Sequence, residues 1–183
     1  MEGDHTPYST YFTNVTGFTN YLNLLVASNT SQPELSYYES YLQQPNVRQV
    51  IHAGNHSFQP FNRKVSKILR YDFTKSVKHL YEYLLDAPEK YRVLIYSGQL
   101  DLDVPTVTTE NMLSKLIWGG SSKYFQAKKT IWRAGGDEIL GYSKKAKNLR
   151  LLIIRNAGHF APFDQPEVLF KMITTFTARK AFP

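Results

Sequence analysis

A chain of 183 residues is long enough to bury one hydrophobic core and short for two independent domains. With 42% apolar and 14% aromatic residues, the composition excludes an intrinsically disordered chain. The formal net charge of +7 comes without a nucleic-acid-binding motif, so we interpret it as a solvated basic face and expect no nucleic-acid partner. The chain has no cysteine, which excludes disulfides and thiolate chemistry, and no apolar run long enough for a membrane span.

The amino-terminal region is polar and irregular. Residues 1–34 mix Thr, Asn, Ser and aromatic residues without a sustained period, which predicts loop with short ordered pieces. The first residues lack the charged-then-apolar layout of a signal peptide. Sequons for N-glycosylation occur at Asn14, Asn29 and Asn55, as would suit a secreted protein. Short helices are predicted from Leu35 to Leu42 and from Pro45 to Gly54.

The central region alternates between helical and strand patterns. Apolar residues at helical spacing predict a helix between Thr74 and Leu85. The run Val93–Tyr96 is rich in branched and aromatic residues, which is typical of a strand buried on both faces in a parallel sheet. A helix is predicted from Pro105 to Leu116, and a hairpin from residues 127–133 and 138–142 around two glycines.

The carboxy-terminal region repeats the strand-then-helix order. Leu151–Ile154 has the pattern of the first buried strand. Asp164, with Glu167 three residues later, predicts a capped start for the last helix. A buried stripe is expected on that helix at Val168, Leu169, Met172, Ile173 and Phe176. Helices alternating with buried strands predict an α/β fold, the tail of an open sheet.

Polar residues follow both predicted buried strands. Asp101 comes after the first strand and His159 after the second. Since catalytic groups collect beyond the carboxyl ends of such strands, these two side chains can meet there. The carboxylate would then fix the imidazole tautomer and leave Nε2 free to accept a proton. In α/β-hydrolases the triad residues come in the chain order Ser, Asp, His, and Asp101 and His159 have the order of the last two. Taken singly, each residue has a plainer interpretation, as an Asp bonded to its own turn or a surface His.

Several segments, in order and spacing, resemble the closing motifs of the serine carboxypeptidase family. They are Tyr96–Asp101, Trp132, Gly141-Tyr142 and Asn156–Pro166. Within the family, residues Tyr41–Asn55 are similar to the vitellogenic carboxypeptidase-like branch. The similarity covers nearly the whole chain, and the run from His159 to Pro166 is its most specific part.

The resemblance implies a fold and a set of roles. The fold would be α/β, the carboxy-terminal part of an α/β-hydrolase, with residues 1–60 ending the cap region and residues 61–183 forming the final strands and helices. Asp101 would be the triad acid, His159 the general base and Phe160 a wall of the pocket for the substrate's last side chain, while Asp103 would be a bystander. The resemblance also implies peptide substrates, no cofactor or metal, and a secreted or lysosomal protein.

The nucleophile of such a triad is not in this sequence. No Gly-x-Ser-x-Gly motif occurs, and Gly119–Ser122 is only a glycine turn. In serine carboxypeptidases, which this chain resembles, the nucleophilic serine lies in the amino-terminal part of the protein. We therefore expect this chain to need that amino-terminal half as a partner and to be inactive alone. Two alternatives stay open: a non-catalytic binding module derived from a carboxypeptidase, and a hydrolase whose nucleophile comes from another subunit.

Overall fold

The computed structural model describes residues 7–26 and 37–182, the first four of them by their backbone alone. In chain order the elements are α1 (Pro7–Thr16), α2 (Tyr37–Gln43), α3 (Pro45–Val50), α4 (Arg63–Phe73), α5 (Lys78–Leu85), β1 (Val93–Gly98), α6 (Thr106–Ser114), α7 (Ser121–Gln126), β2 (Thr130–Arg133), β3 (Ile139–Ala146), β4 (Leu149–Ile154), α8 (Ala161–Asp164) and α9 (Pro166–Thr177). Within the described residues, no helix is both long and apolar enough to cross a membrane.

The described residues form two compact units. The first takes residues from the ranges Met1–Ser28 and Val77–Pro183, and the second takes residues from Asn29–Ser76. The first unit contains the sheet and the helices α1 and α5–α9. The predicted division near residue 60, between a cap region and the final strands, remains a prediction.

The sheet of the first unit is mixed. Its four strands lie in the order β1-β4-β3-β2. β1 and β4 are parallel, whereas β3 runs antiparallel to both β4 and β2. A parallel pair needs a crossover connection, and here the chain passes through α6, α7 and the β2–β3 hairpin between β1 and β4. The predicted hairpin and the predicted parallel pair are therefore both confirmed.

β4 is the centre of the core because it is buried on both faces. Side chains alternate along a strand, so Leu149 and Leu151 face one side while Leu152 and Ile154 face the other. The first pair packs in a cluster with side chains of α5, α6 and α7. The second pair packs in another cluster with Trp132 of β2 and with α8 and α9. Helices on both faces of the sheet give the α/β architecture that the sequence predicts.

Three sequence-based expectations differ from the structure. β1 is not buried on both faces: Tyr96 is 44% exposed, because β1 lies at one end of the four-stranded sheet. Ile173, which is expected in the buried stripe of the last helix, is 47% exposed. Asp164 does not cap the last helix; it is the final residue of α8, and the cap position of α9 is Gln165, which makes no side-chain cap bond.

The second unit contains α2, α3 and α4, and Val47 is the one buried residue among those described there. α2 and the loop after α3 are joined through Gln43, whose amide group donates to and accepts from the backbone of Phe58. α4 lies outside the sequence-based predictions. Its start is explained by Asn62, whose side chain accepts from the backbone N–H groups of Lys64 and Val65.

Candidate active site

The loops that follow β1 and β4 lie side by side. The two strands are parallel neighbours and their register ends with Gly98 opposite Ile154. Asp101 lies in the loop after β1, and His159 lies in the loop after β4. Because parallel strands end at the same edge of the sheet, both side chains are delivered to one place.

Asp101 and His159 are in direct contact. Oδ2 of the carboxylate lies 3.0 Å from Nδ1 of the imidazole. A carboxylate accepts hydrogen bonds, so this contact keeps the ring proton on Nδ1 and leaves the lone pair on Nε2. Nε2 has no hydrogen-bond partner in the described part of the chain, and 33% of the His159 side chain is exposed. The ring is thus fixed on one side and able to take a proton on the other.

Asp101 is itself held in place by its own turn. The residue is buried, with 7% of its surface exposed. Its second oxygen, Oδ1, accepts hydrogen bonds from the backbone N–H groups of Asp103 at 2.9 Å and Val104 at 3.0 Å. The plain interpretation of an Asp bonded to its own turn is therefore correct, and it coexists with the contact to His159 because each oxygen serves a different partner.

Asp103 lies near the same imidazole but does not hold it. Its Oδ2 is 3.8 Å from Nδ1 of His159, which is beyond hydrogen-bond distance, and 45% of its side chain is exposed. Oδ2 of Asp101, at 3.0 Å, is the closer oxygen. Asp101 is the carboxylate with the orienting geometry.

A segment after α1, which we call the strap (Asn20–Leu25), joins the two loops. The strap carbonyl of Leu22 accepts from the N–H of His159 at 2.7 Å. On the other loop, Leu24 donates to the carbonyl of Leu100, and the carbonyl of Tyr21 accepts from Leu102. The strap is therefore hydrogen-bonded both to the loop that carries Asp101 and to the loop that carries His159.

Asp164 connects the strap to the loop that carries His159. Its Oδ2 accepts from the backbone N–H of Gly158 at 2.6 Å and from the side-chain amide of Asn23 at 3.0 Å. Asn23 is buried, and its own oxygen accepts from the N–H of Leu25. This explains why Asp164 is not available as a helix cap: its carboxylate accepts from Gly158, six residues before it, and from Asn23, 141 residues before it.

Two glycines allow the backbones to approach this closely. A side-chain carbon at Gly98 would lie 2.1 Å from the carbonyl oxygen of Gly158, and one at Gly158 would lie 2.3 Å from that of Leu22. Both distances are shorter than any real contact of such an atom. The loops after β1 and β4 can therefore touch each other and the strap only because neither position has a side chain.

The sequence matches the serine carboxypeptidase family over residues 3–179. The chain belongs to the serine carboxypeptidase family. It is 41% identical to the venom serine carboxypeptidase of Apis mellifera over 182 residues, which is 100% of this chain and 38% of that protein. It is 40% identical to the vitellogenic carboxypeptidase of Aedes aegypti over 169 residues, which is 91% of this chain and 35% of that protein. The chain thus spans less than two fifths of the length of either relative.

The fold of this serine carboxypeptidase chain also matches a solved structure. The crystal structure of Kex1(delta)p, a prohormone-processing carboxypeptidase from Saccharomyces cerevisiae, superposes with a TM-score of 0.69 at 21% sequence identity. The match covers 87% of this chain and 36% of that chain. The predicted fold, a carboxy-terminal part of an α/β-hydrolase, is confirmed.

In this serine carboxypeptidase chain, Phe160 directly follows His159 and its ring contacts the imidazole. The two ring centres are 5.4 Å apart and the planes meet at 82°, an edge-to-face contact. Phe160 is 44% exposed, so it presents apolar surface beside the imidazole. Its role in lining a substrate pocket stays a prediction.

The structure also describes most of the other residues that the sequence singled out. Asn14 is exposed on α1 and Asn55 is exposed in a turn after α3, while Asn29 lies outside the described residues. Ser121, the first residue of α7, uses its hydroxyl locally: it donates to the carbonyl of Leu116 and accepts from the N–H of Trp118. In the part of the chain that the structure describes, no group of three His, Asp or Glu side chains gathers that could hold a metal ion.

Sequence reasoning for this serine carboxypeptidase chain missed the strap. Its residues bond to both loops mostly through backbone groups, which leave no side-chain pattern. One signal was present: Asn20 and Asn23 stand three residues apart, and Asn side chains bond to nearby backbone in turns. Asn20 does so with the N–H groups of Leu22 and Asn23. A turn was therefore foreseeable there, but not its contact with residues far along the chain.

Proposed function

We propose that this chain supplies the acid and the general base of a serine-type carboxypeptidase, with Asp101 as the acid and His159 as the base. The observation that carries the proposal is the 3.0 Å contact between Asp101 Oδ2 and His159 Nδ1, made at the carboxyl ends of two neighbouring parallel strands. Membership of the serine carboxypeptidase family supports the same roles. The contact distance supports roles as the Asp and His of a Ser-His-Asp triad.

The proposed reaction removes one residue from the carboxyl end of a peptide. Nε2 of His159 takes the proton of a serine hydroxyl as its oxygen attacks the last peptide carbonyl. The imidazolium formed is stabilised by Asp101 and then gives its proton to the nitrogen of the departing amino acid. Water, deprotonated in turn by Nε2, cleaves the acyl-enzyme and restores the serine. Asp101 stays ionised throughout and holds the ring in its orientation.

We propose further that the serine nucleophile lies in polypeptide outside these 183 residues. Two observations support this: no Gly-x-Ser-x-Gly occurs in the sequence, and the chain spans 38% of the venom relative and 35% of the vitellogenic one. Loss of a triad serine lowers turnover on the order of 10⁶-fold, so the 183-residue chain alone is expected to be inactive. The whole protein's substrates would be peptides, and its partner within the fold would be the amino-terminal half.

Phe160 is proposed to line the pocket for the substrate's last side chain and to favour apolar residues there. Its exposed ring beside His159 supports this role. We also propose a secreted or lysosomal protein that is glycosylated at Asn14, Asn29 and Asn55. The exposure of Asn14 and Asn55 is consistent with such modification.

The proposal is tested by reconstitution. The 183-residue chain would be assayed on a blocked dipeptide alone and after co-expression with an amino-terminal serine carboxypeptidase fragment that carries the nucleophile. We expect release of the last amino acid only from the combined protein, and no release when the chain carries His159→Ala. Release by the isolated chain that depends on His159 would overturn the assignment of the nucleophile to another part of the polypeptide. Unchanged activity of the combined His159→Ala protein would overturn the role of the base.

A further inference from the structure

A basic cavity lies at the end of the sheet opposite the Asp101–His159 pair. It has a volume of about 290 Å³, and six of its lining residues are cations: Arg92, Lys145, Lys147, Arg150, Arg179 and Lys180. Arg92 comes directly before β1, and Arg150 is the second residue of β4. A six-residue strand rises about 20 Å, so the basic cavity is separate from the catalytic end of the same strands.

Within the described residues, the charges of the basic cavity are not neutralised by ion pairs, although Asp86 Oδ1 and Lys147 Nζ both lie within 3.4 Å of the place that a side-chain carbon at Gly119 would take. No carboxylate lines it, and none of the six cations forms an ion pair with a carboxylate in the described ranges, 7–26 and 37–182. Lys145 of β3 stands directly opposite Arg150 of β4 in the antiparallel register. Like charges in that arrangement destabilise a sheet. A bound anion would remove this repulsion.

The two arginines at the strand ends are held in fixed orientations. The guanidinium of Arg92 lies 4.5 Å from the ring centre of Phe176 and donates to the carbonyl of the same residue. The guanidinium of Arg150 lies 4.5 Å from the ring centre of Phe182 and donates to Oγ of Ser143 at 2.5 Å. Groups that are ordered before a ligand arrives lose less entropy when they bind it, and planar guanidinium groups match phosphate oxygens.

One further observation fits a site that is incomplete without an anion. Burial lowers the pKa of Arg150, and the charge of Arg92 lowers it further. Both effects disfavour the charged form of Arg150, and a nearby anion would reverse them.

We propose that the basic cavity binds a compact ligand with two or three phosphate groups. A phosphate monoester carries a charge of about −1.5 to −2 at neutral pH, so about three such groups balance six cations. A carboxylate carries a single charge, so balancing six cations would take six carboxylates, about twice the number of phosphates. Six carboxylates would crowd a cavity of about 290 Å³. The phosphates would come from a soluble polyphosphorylated molecule or from a phosphorylated lipid headgroup.

The probe for the first experiment is inositol 1,4,5-trisphosphate, titrated into the protein by calorimetry. Lys145→Gln/Lys180→Gln removes two exposed cations from the basic cavity, and Lys64→Gln/Lys67→Gln removes two exposed lysines of α4 as a matched control. We expect the first variant to bind at least about tenfold more weakly and the control to bind within about twofold of the parent. Inorganic phosphate, with one group, should bind far more weakly than the trisphosphate. Thermal melting without ligand checks that both variants are folded.

A second arm separates the two sources of phosphate. Phosphatidylcholine vesicles with and without phosphatidylinositol 4,5-bisphosphate would be sedimented with the protein. Retention only by the phosphorylated vesicles, competed by the free trisphosphate, supports a lipid headgroup, whereas binding of the free trisphosphate without retention supports a soluble ligand. Absence of trisphosphate binding at low salt, or equal weakening in both double variants, would overturn the proposal, because the attraction would then be absent or spread over the whole basic surface.

Discussion

Asp164 holds two segments together through a single oxygen, and its removal should have a large effect. Asp164→Ala leaves the N–H of Gly158 and the side-chain amide of Asn23 without their acceptor. Hydrogen bonds to a charged acceptor contribute about 1.5–3 kcal/mol each, and Asp164 is only partly buried, which favours the lower end. We therefore expect Asp164→Ala to lower the free energy of unfolding by about 3 kcal/mol.

The assay is urea unfolding of the parent, Asp164→Ala and Asp137→Ala, followed by tryptophan fluorescence. Asp137 is an exposed aspartate between β2 and β3 whose carboxylate makes no hydrogen bond in the described part of the chain, so it is a matched control. We expect Asp137→Ala to change the free energy of unfolding by less than about 0.5 kcal/mol. An equally small change for Asp164→Ala would refute the reasoning, since the strap would then be held without it. A loss near that of a helix cap, about 1 kcal/mol, would indicate one hydrogen bond rather than two.

Three further perturbations follow from the structure. Asp103→Asn should change kcat/KM of the combined, co-expressed protein by less than about threefold, because the carboxylate is exposed and 3.8 Å from His159. A larger loss would give Asp103 a share in orienting the ring. Gly158→Ala should lower the free energy of unfolding by about 2 kcal/mol or more, because the added carbon would lie 2.3 Å from the carbonyl oxygen of Leu22. The measurement is urea unfolding, and an unchanged free energy of unfolding would show that the strap can shift to make room. The hydrogen bond from the Ile117 N–H lowers the pKa of Glu82 below its usual 4.5, so Glu82 stabilises the fold above that pH and loses this contribution as the pH falls. The difference in urea stability between the parent and Glu82→Gln should therefore shrink below pH 4.5, and a difference that stays constant with pH would contradict this.

Much of the sheet could be predicted from the sequence because its signals are local. β4 is buried on both faces, and a short continuous apolar run is typical of such a strand. The hairpin was indicated by strand-forming residues on either side of Gly135 and Gly136, both of which have positive φ. The position of Asp101 and His159 after parallel strands also followed, since the carboxyl ends of such strands share an edge.

The features that sequence reasoning missed depend on contacts between distant segments. Asp164 has the spacing of a helix cap with Glu167, but its carboxylate bonds to Gly158 and to Asn23, which is 141 residues away. Two donors for a carboxylate outweigh one capping bond. The exposure of Tyr96 was missed for a similar reason: a strand's composition indicates that it belongs to a sheet, but its place at the end of the sheet is decided by which strands pair.

The roles proposed for Asp101 and His159 are tested most directly by kcat/KM on a blocked dipeptide, measured with the combined protein in which this chain is co-expressed with an amino-terminal fragment that carries the nucleophile. His159→Ala removes the proposed base, and His79→Ala removes an exposed imidazole of α5 as a control. We expect His159→Ala to lower kcat/KM by about 10⁴-fold or more and His79→Ala to leave it unchanged. A His159→Ala protein that retains kcat/KM within about tenfold of the parent would contradict the assignment of His159 as the general base.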